Sequence, residues 1–155
     1  MRNIFSQNDT SPASKQAVDS DPRVAHSLRS ISCNYQQTPS GDYVLSFELP
    51  RGRSHTVIVD SRTAQVGIRE MRCVFACAYA SEDPIPADVM ADLLTGNANH
   101  YVGALEIRGD DEMRLAIFAA SISADASAVE LLSVALHVAK IADDVEEGIT
   151  SDDRF

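Results

Sequence analysis

The chain has 155 residues, of which 45% are hydrophobic, and a formal net charge of −10 at pH 7. This length suits one domain whose core needs no metal or disulfide support. The negative charge argues against nucleic acids and anionic membranes as partners, because their phosphate groups would repel the chain.

Sorting signals and cysteines indicate where such a chain acts. The N-terminal segment lacks the continuous apolar stretch of a signal peptide, and no later run approaches the ~18 apolar residues of a membrane span. Three cysteines without a C-x-x-C pair are typical of a reducing compartment. We therefore expect a cytoplasmic protein with a flexible polar arm (1–20), one α+β domain (21–148) and an acidic tail (149–155).

The first half of the domain is predicted to be a helix followed by a meander of strands. Asp21 and Pro22 have the residue types of a helix N-cap and first helical position. Alternating apolar residues and turn signals then predict strands, which fall at 33–37, 43–49 and 56–59. Residues 66–79 read as one long strand. Their apolar residues switch from even to odd positions near Arg69 and Glu70, which predicts a bulge there.

The second half is predicted to contain a short helix, a hairpin and a long helix. Prolines confined to the first turn predict a helix over 85–94, which Gly96 ends. Strands are expected at 101–108 and 113–121. The core-facing residues of this hairpin are expected to be Leu105, Ile107, Leu115 and Ile117, and Phe118 is expected on the opposite face of its strand. Ser127 and Glu130 have the spacing of a capping box, with Ser123 as an earlier start, and apolar residues follow at helical spacing to Val145.

This order of elements predicts the fold. It favours an antiparallel sheet of five to six strands, a meander plus a hairpin, with N- and C-terminal helices packed on one face and a short middle helix.

Several segments carry a resemblance to a known family. They are residues 41–44, 66–80, 93–97 and 115–119. In these segments and in their order the chain resembles the YbjN family, bacterial proteins labelled sensory transduction regulators, whose fold is similar to that of type III secretion chaperones. The resemblance covers about 21–147 and implies a small, acidic, dimeric protein that binds other polypeptides. Family members have an asparagine near the end of the middle helix, where Asn97 or Asn99 lies.

The residues that bear reactive groups do not form a recognisable catalytic or metal-binding motif. Cys73 and Cys77 lie about 13 Å apart on a strand at ~3.3 Å per residue, too far to share a metal ion at bond lengths of ~2.3 Å. His137 is expected to face solvent, and the four histidines fall in different elements. We therefore expect no metal, no cofactor and no enzymatic activity. The acidic run near the C-terminus is predicted to be a solvated helix end and tail. It comprises Asp143, Asp144, Glu146, Glu147, Asp152 and Asp153.

Apolar residues on the outer side of the sheet are the candidate protein interface, since exposed apolar patches mark contact sites. We expect five of them to face away from the core: Val44, Val102, Ala104, Ala116 and Phe118. Met90 and Leu94 on the middle helix offer an alternative contact.

The sequence thus predicts a non-catalytic protein-binding module, chaperone-like or regulatory, that acts as a homodimer. One alternative is a small-molecule-binding regulatory sensor, with Arg51, Arg53 or Arg69 contacting an anion. Another is a small cysteine hydrolase whose catalytic pair meets only in the folded chain.

Overall fold

The computed structural model describes residues 20–109 and 113–150, so most of the expected arm and the tail beyond Thr150 lie outside the described residues. The described chain has an α+β fold with three α-helices and a six-stranded sheet. The helices are α1 (Pro22–Ser30), α2 (Ala87–Gly96) and α3 (Ala128–Ile149). The strands are β1 (Gln36–Gln37), β2 (Tyr43–Glu48), β3 (Ser54–Val66), β4 (Arg69–Ser81), β5 (Ala104–Gly109) and β6 (Arg114–Ser123).

The sheet is an open antiparallel one with the strand order β1-β2-β3-β4-β6-β5. The predicted meander and hairpin are therefore confirmed, and the hairpin joins through β6, which lies between β4 and β5. None of the helices in the described residues is long and apolar enough to cross a membrane.

The run 66–79 is a turn followed by a strand, and the prediction of one bulged strand is wrong. Val66 pairs with Arg69, and Gly67 between them has a φ of 61°. A positive φ at the first of two loop residues fits a type II′ hairpin turn. The apolar residues change parity there because the chain reverses. The side chain of Ile68 is 97% exposed at this turn.

The core lies between the sheet and the three helices. Its members are buried apolar residues from both layers. They include Leu28, Tyr43, Leu45, Val57, Val59, Val74, Phe118, Leu131 and Val138. The predicted last helix is confirmed, since Ser127 caps α3 by accepting from the Glu130 backbone N–H at 3.2 Å.

The side chains of β6 face the opposite way from the prediction. Phe118 pairs with Leu105 and is fully buried in the core, whereas Ile117 pairs with Cys77 on the other face. Residues 116–120 are buried on both faces, so hydrophobic alternation gave no sign of which face the helices cover. Ile107, also expected in the core, is 40% exposed on the edge strand.

A network of ion pairs fixes the start of α1 to the β3–β4 hairpin. The Asp21 carboxylate accepts from the Arg23 backbone N–H at 2.9 Å and from the Arg72 guanidinium at 2.5 Å. Arg23 also pairs with Glu70 at 2.8 Å. Burial alone would raise the pKa of Asp21, but the hydrogen bonds from Arg23 and Arg72 outweigh it and hold that pKa well below its usual range. The hydrogen bond from Arg23 lowers the pKa of Glu70 to about 2.

We predict that Asp21→Asn reduces the acid sensitivity of the fold. A carboxyl with a lowered folded-state pKa contributes stability above its unfolded pKa of about 3.9 and loses that contribution as the pH falls further. The variant should be less stable than the parent at pH 7 and should lose less stability between pH 4 and pH 2. Urea unfolding across this range measures both effects. Asp125→Asn, at a side chain 74% exposed, should leave the pH profile nearly unchanged.

The different burial of two residues in the β5–β6 hairpin also makes a mutational prediction. Phe118→Ala should lower the free energy of unfolding by about 3–5 kcal/mol, because it leaves a cavity in the core. Ile107→Ala, on the exposed edge, should cost less than about 1 kcal/mol. Chemical denaturation of both variants checks the assignment, and equal losses would contradict it.

Candidate functional site

The sheet face turned away from the helices carries a continuous apolar row across five strands. Paired positions run Val44, Ile58, Phe75, Ala119 and Ala104 from β2 to β5. Ala119 is buried, and the other four are partly buried. With strands ~4.8 Å apart, the row is about 19 Å wide. We call these five residues the apolar row.

Polar groups border the apolar row. The Arg108 guanidinium lies 5.2 Å from the centre of the Phe75 ring, a cation–π contact, and pairs with Glu106 at 2.8 Å. Exposed Ser46 and Ser121 lie on the same face as the row. An apolar centre with a polar rim is the usual composition of a protein–protein interface.

The structure places the seven predicted interface residues in several environments. Val44 and Ala104 are the two ends of the apolar row. Ala116 and Phe118 are fully buried on the helix side, so the expectation that they face away from the core is wrong. The remaining three do not join the row. Met90 packs partly buried against the core, while Leu94 is 61% and Val102 45% exposed.

The middle of the row was not apparent from the sequence. Ile58 and Phe75 alternate with buried neighbours, so both faces of β3 and β4 are apolar there. Each follows a core residue, Val57 or Val74, by one position and so points to the opposite face of its strand. This shows that the two side chains are neighbours only once the strands are aligned.

The cysteines are in poor surroundings for reactivity. Burial raises the pKa of Cys77 to about 11, and it also raises the pKa values of Cys73 and Cys33. A thiol must lose its proton to act as a nucleophile or as a zinc ligand. The burial of the thiols therefore gives no support to the cysteine hydrolase.

Two acidic residues of the C-terminal run are buried, which corrects the prediction of a solvated helix end. Asp143 is 6% exposed and Glu146 0%. Arg53, which precedes β3, donates to Asp143 at 2.6 Å and to Glu146 at 3.0 Å. Asp144 and Glu147 are exposed as predicted, and Asp152 and Asp153 lie outside the described residues. The three-residue spacing puts Asp143 and Glu146 on the sheet-facing side of α3.

A buried histidine completes this ionic cluster. His55 Nε2 lies 2.9 Å from the Cys77 carbonyl oxygen, and its Nδ1 lies 3.9 Å from Glu146 Oε2. Potential ligand atoms of His55, Asp143 and Glu146 fall within 4.8 Å of one another, close enough to hold a metal ion. Arg53 already supplies positive charge to both carboxylates. The cluster is thus best explained as an anchor between α3 and β3.

Two of the other histidines contact an aromatic ring of the core. His100 and His137 each make an edge contact with the Phe118 ring, with centroid distances of 5.0 and 5.9 Å. His26 and His137 are exposed, the latter as predicted.

Asn97 joins the end of α2 to β5. Its side-chain amide donates to the Leu105 carbonyl at 3.1 Å, and its side-chain oxygen accepts from the Leu105 N–H at 2.6 Å. Of the two asparagines near the end of this helix, Asn97 therefore has the structural role, while Asn99 is exposed.

Comparison with known proteins supports the fold. No protein-family model and no curated protein matches the sequence. Among solved structures, that of YbjN from E. coli is similar, with a TM-score of 0.53 and 13% identity, over 84% of this chain and 91% of that chain. At this identity the likeness establishes the YbjN-like fold and nothing beyond it.

We predict that Arg53→Met lowers the free energy of unfolding by about 3–5 kcal/mol, because it leaves two buried carboxylates without their cation. Arg51→Met is the matched control. Arg51 also pairs with a carboxylate of α3, that of Glu147, but its side chain is 74% exposed, so the loss should stay below about 1 kcal/mol. Urea denaturation at pH 7 compares the two, and similar losses would contradict an anchoring role for Arg53.

Proposed function

We propose that the chain is a non-catalytic protein-binding module that forms a homodimer through the apolar row. The row itself is the observation that supports this proposal, since it crosses five strands on a face to which the described helices contribute no cover. Two sheets packed face to face lie about 10 Å apart, so the rows of two copies would bury each other.

The position of Phe75 suits a symmetric contact. It is the middle member of the row, on a central strand, and both neighbouring strands are paired to β4. In a two-fold dimer the same patch faces itself, so residues near the axis meet their own copies. Phe75 of each copy would then contribute most of the buried aromatic surface.

The net charge of the chain sets the salt dependence of such a dimer. Two copies that each carry −10 repel one another, and dissolved salt screens that repulsion. Association driven by the apolar row should therefore strengthen as the ionic strength rises.

The partners of the module are proposed to be proteins, in a bacterial cytoplasm. The structurally similar YbjN has been described as a candidate transcription regulator. A chain with this net charge is poorly suited to bind DNA phosphates directly. Any regulatory role would then work through contacts with other proteins, as for a chaperone-like module.

The small-molecule sensor gains no support from its proposed anion contacts. Arg51 and Arg53 pair with carboxylates of α3, next to the first residue of β3. Arg69 pairs with Val66 at the other end of β3. The three side chains therefore do not converge on one site.

The dimer is tested by light scattering on the full chain. We expect about twice the chain mass for the parent protein, and the single-chain mass for Phe75→Glu, because the substitution buries a charge in the contact. Leu136→Glu is the control, since Leu136 is 47% exposed on α3 and the dimer should persist. Val44→Glu is a second variant in the row, and circular dichroism verifies folding. A monomeric parent protein, or a dimer that survives both row variants, would contradict the proposal.

A further inference from the structure

A cleft opens on the helix side of the sheet, between α2 and the end of α3. Its volume is about 430 Å³, within the ~300–1,000 Å³ typical of ligand sites. The apolar lining comes from both helices and from β5. It consists of Val89, Leu93, Leu105, Val145 and Ile149. On α2, lining residues recur at positions 89, 92, 93 and 96, which form one helical face.

Two helical glycines keep the cleft open. Gly96 has the helical dihedral angles φ −56° and ψ −30°, and Gly148 lies within α3. A Cβ atom on Gly148 would meet nothing within 4 Å, and one on Gly96 would meet only Leu105 Cδ1 at 3.8 Å. Neither position needs glycine for its backbone or for close packing, although glycine weakens a helix relative to alanine. The space that these glycines leave is therefore the feature to explain.

The α2 side of the cleft is acidic. Asp92 lines the cleft, and Asp88 lies one turn earlier on α2, both exposed. Residues 82–99 contain four acidic side chains, Glu82, Asp83, Asp88 and Asp92, and neither lysine nor arginine. The last turn of α3 has no basic residue. This acidic rim would therefore attract a bound group that carries a positive charge.

We infer that the cleft binds an amphipathic helical segment of a partner protein, with apolar side chains along one face and lysine or arginine beside them. An apolar groove between helices is a common site for such a segment. Leu94 and Tyr101, 61% and fully exposed, each adjoin a lining residue in sequence and would extend the apolar contact. A second copy of this acidic chain is a poor occupant because the charges match in sign.

This inference rests on the proposed protein-binding function but not on the dimer. The cleft is on the helix side of the sheet, and the apolar row is on the other face. The two can therefore fail separately.

The test uses fluorescent synthetic peptides of about four helical turns. One contains leucine and lysine in an amphipathic pattern, and the other has glutamate in place of every lysine. Fluorescence anisotropy with the full chain should show binding of the lysine peptide and little binding of the glutamate peptide. Equal binding of both peptides, or binding of neither, would overturn the inference.

Variants locate the site. Gly148→Leu fills the cleft and should weaken binding of the lysine peptide by about tenfold or more. Asp88→Lys with Asp92→Lys should do the same and favour the glutamate peptide. Glu48→Lys with Glu130→Lys makes the same change in net charge at exposed positions outside the cleft and should have a small effect. If this control weakens binding as much as the cleft variants do, the inference is wrong.

Folding and dimerisation are measured on the same samples. Gly148→Leu should melt at or slightly above the parent temperature, because leucine favours a helix more than glycine does and its side chain enters open space. If that variant does not fold, Gly148→Ala gives a smaller, graded loss of affinity. Phe75→Glu should still bind the lysine peptide. A protein that is monomeric but binds this peptide in the cleft would overturn the dimer alone, whereas a dimer that does not bind it would overturn the cleft alone.

Discussion

The central strands of this sheet are apolar on both faces, but all three helices pack against one face. Phe118 and Ile117 are neighbours in β6 and both are buried, although they point in opposite directions. On the helix side, α3 excludes water from Phe118. On the other side, four of the five residues of the apolar row are partly exposed, and water contacts such apolar surface unfavourably. This imbalance between the two faces is the reason to expect a partner at the row.

The attachment of α3 combines apolar packing with buried charge. Alanine and valine side chains let the helix approach the sheet, and Arg53 holds Asp143 and Glu146 at its C-terminal end. Buried ion pairs contribute little net stability because removing charges from water is costly. Their geometric demands are strict, however, so Arg53 selects one rotation and one axial position of α3. Placed in this way, α3 forms one wall of the cleft with Val145, Gly148 and Ile149.

The two candidate binding surfaces differ in chemistry as well as in location. The apolar row crosses five strands and carries Arg108 above Phe75, which suits a contact between like copies. The cleft lies between two helices and is acidic on one side, which suits a basic amphipathic segment. A dimer through the row would leave the clefts of both copies accessible, so one assembly could present two sites for a partner.

The sequence by itself determined the elements whose signals are local. Asp21 and Ser127 cap helices because a side-chain oxygen next to the free N–H groups is all that a cap requires. The apolar face of α3 follows from the helical spacing of its apolar residues. The tertiary structure decided the strand faces and ion pairs that depend on residues far apart in the chain. Phe118 was assigned to the wrong face because its alignment with Leu105 depends on pairing between strands. The partner of Asp143 and Glu146 lies about 90 residues earlier, and no local pattern connects Arg53 to them. The five residues of the apolar row are far apart in the sequence. They form a continuous surface only because backbone hydrogen bonds align their five strands.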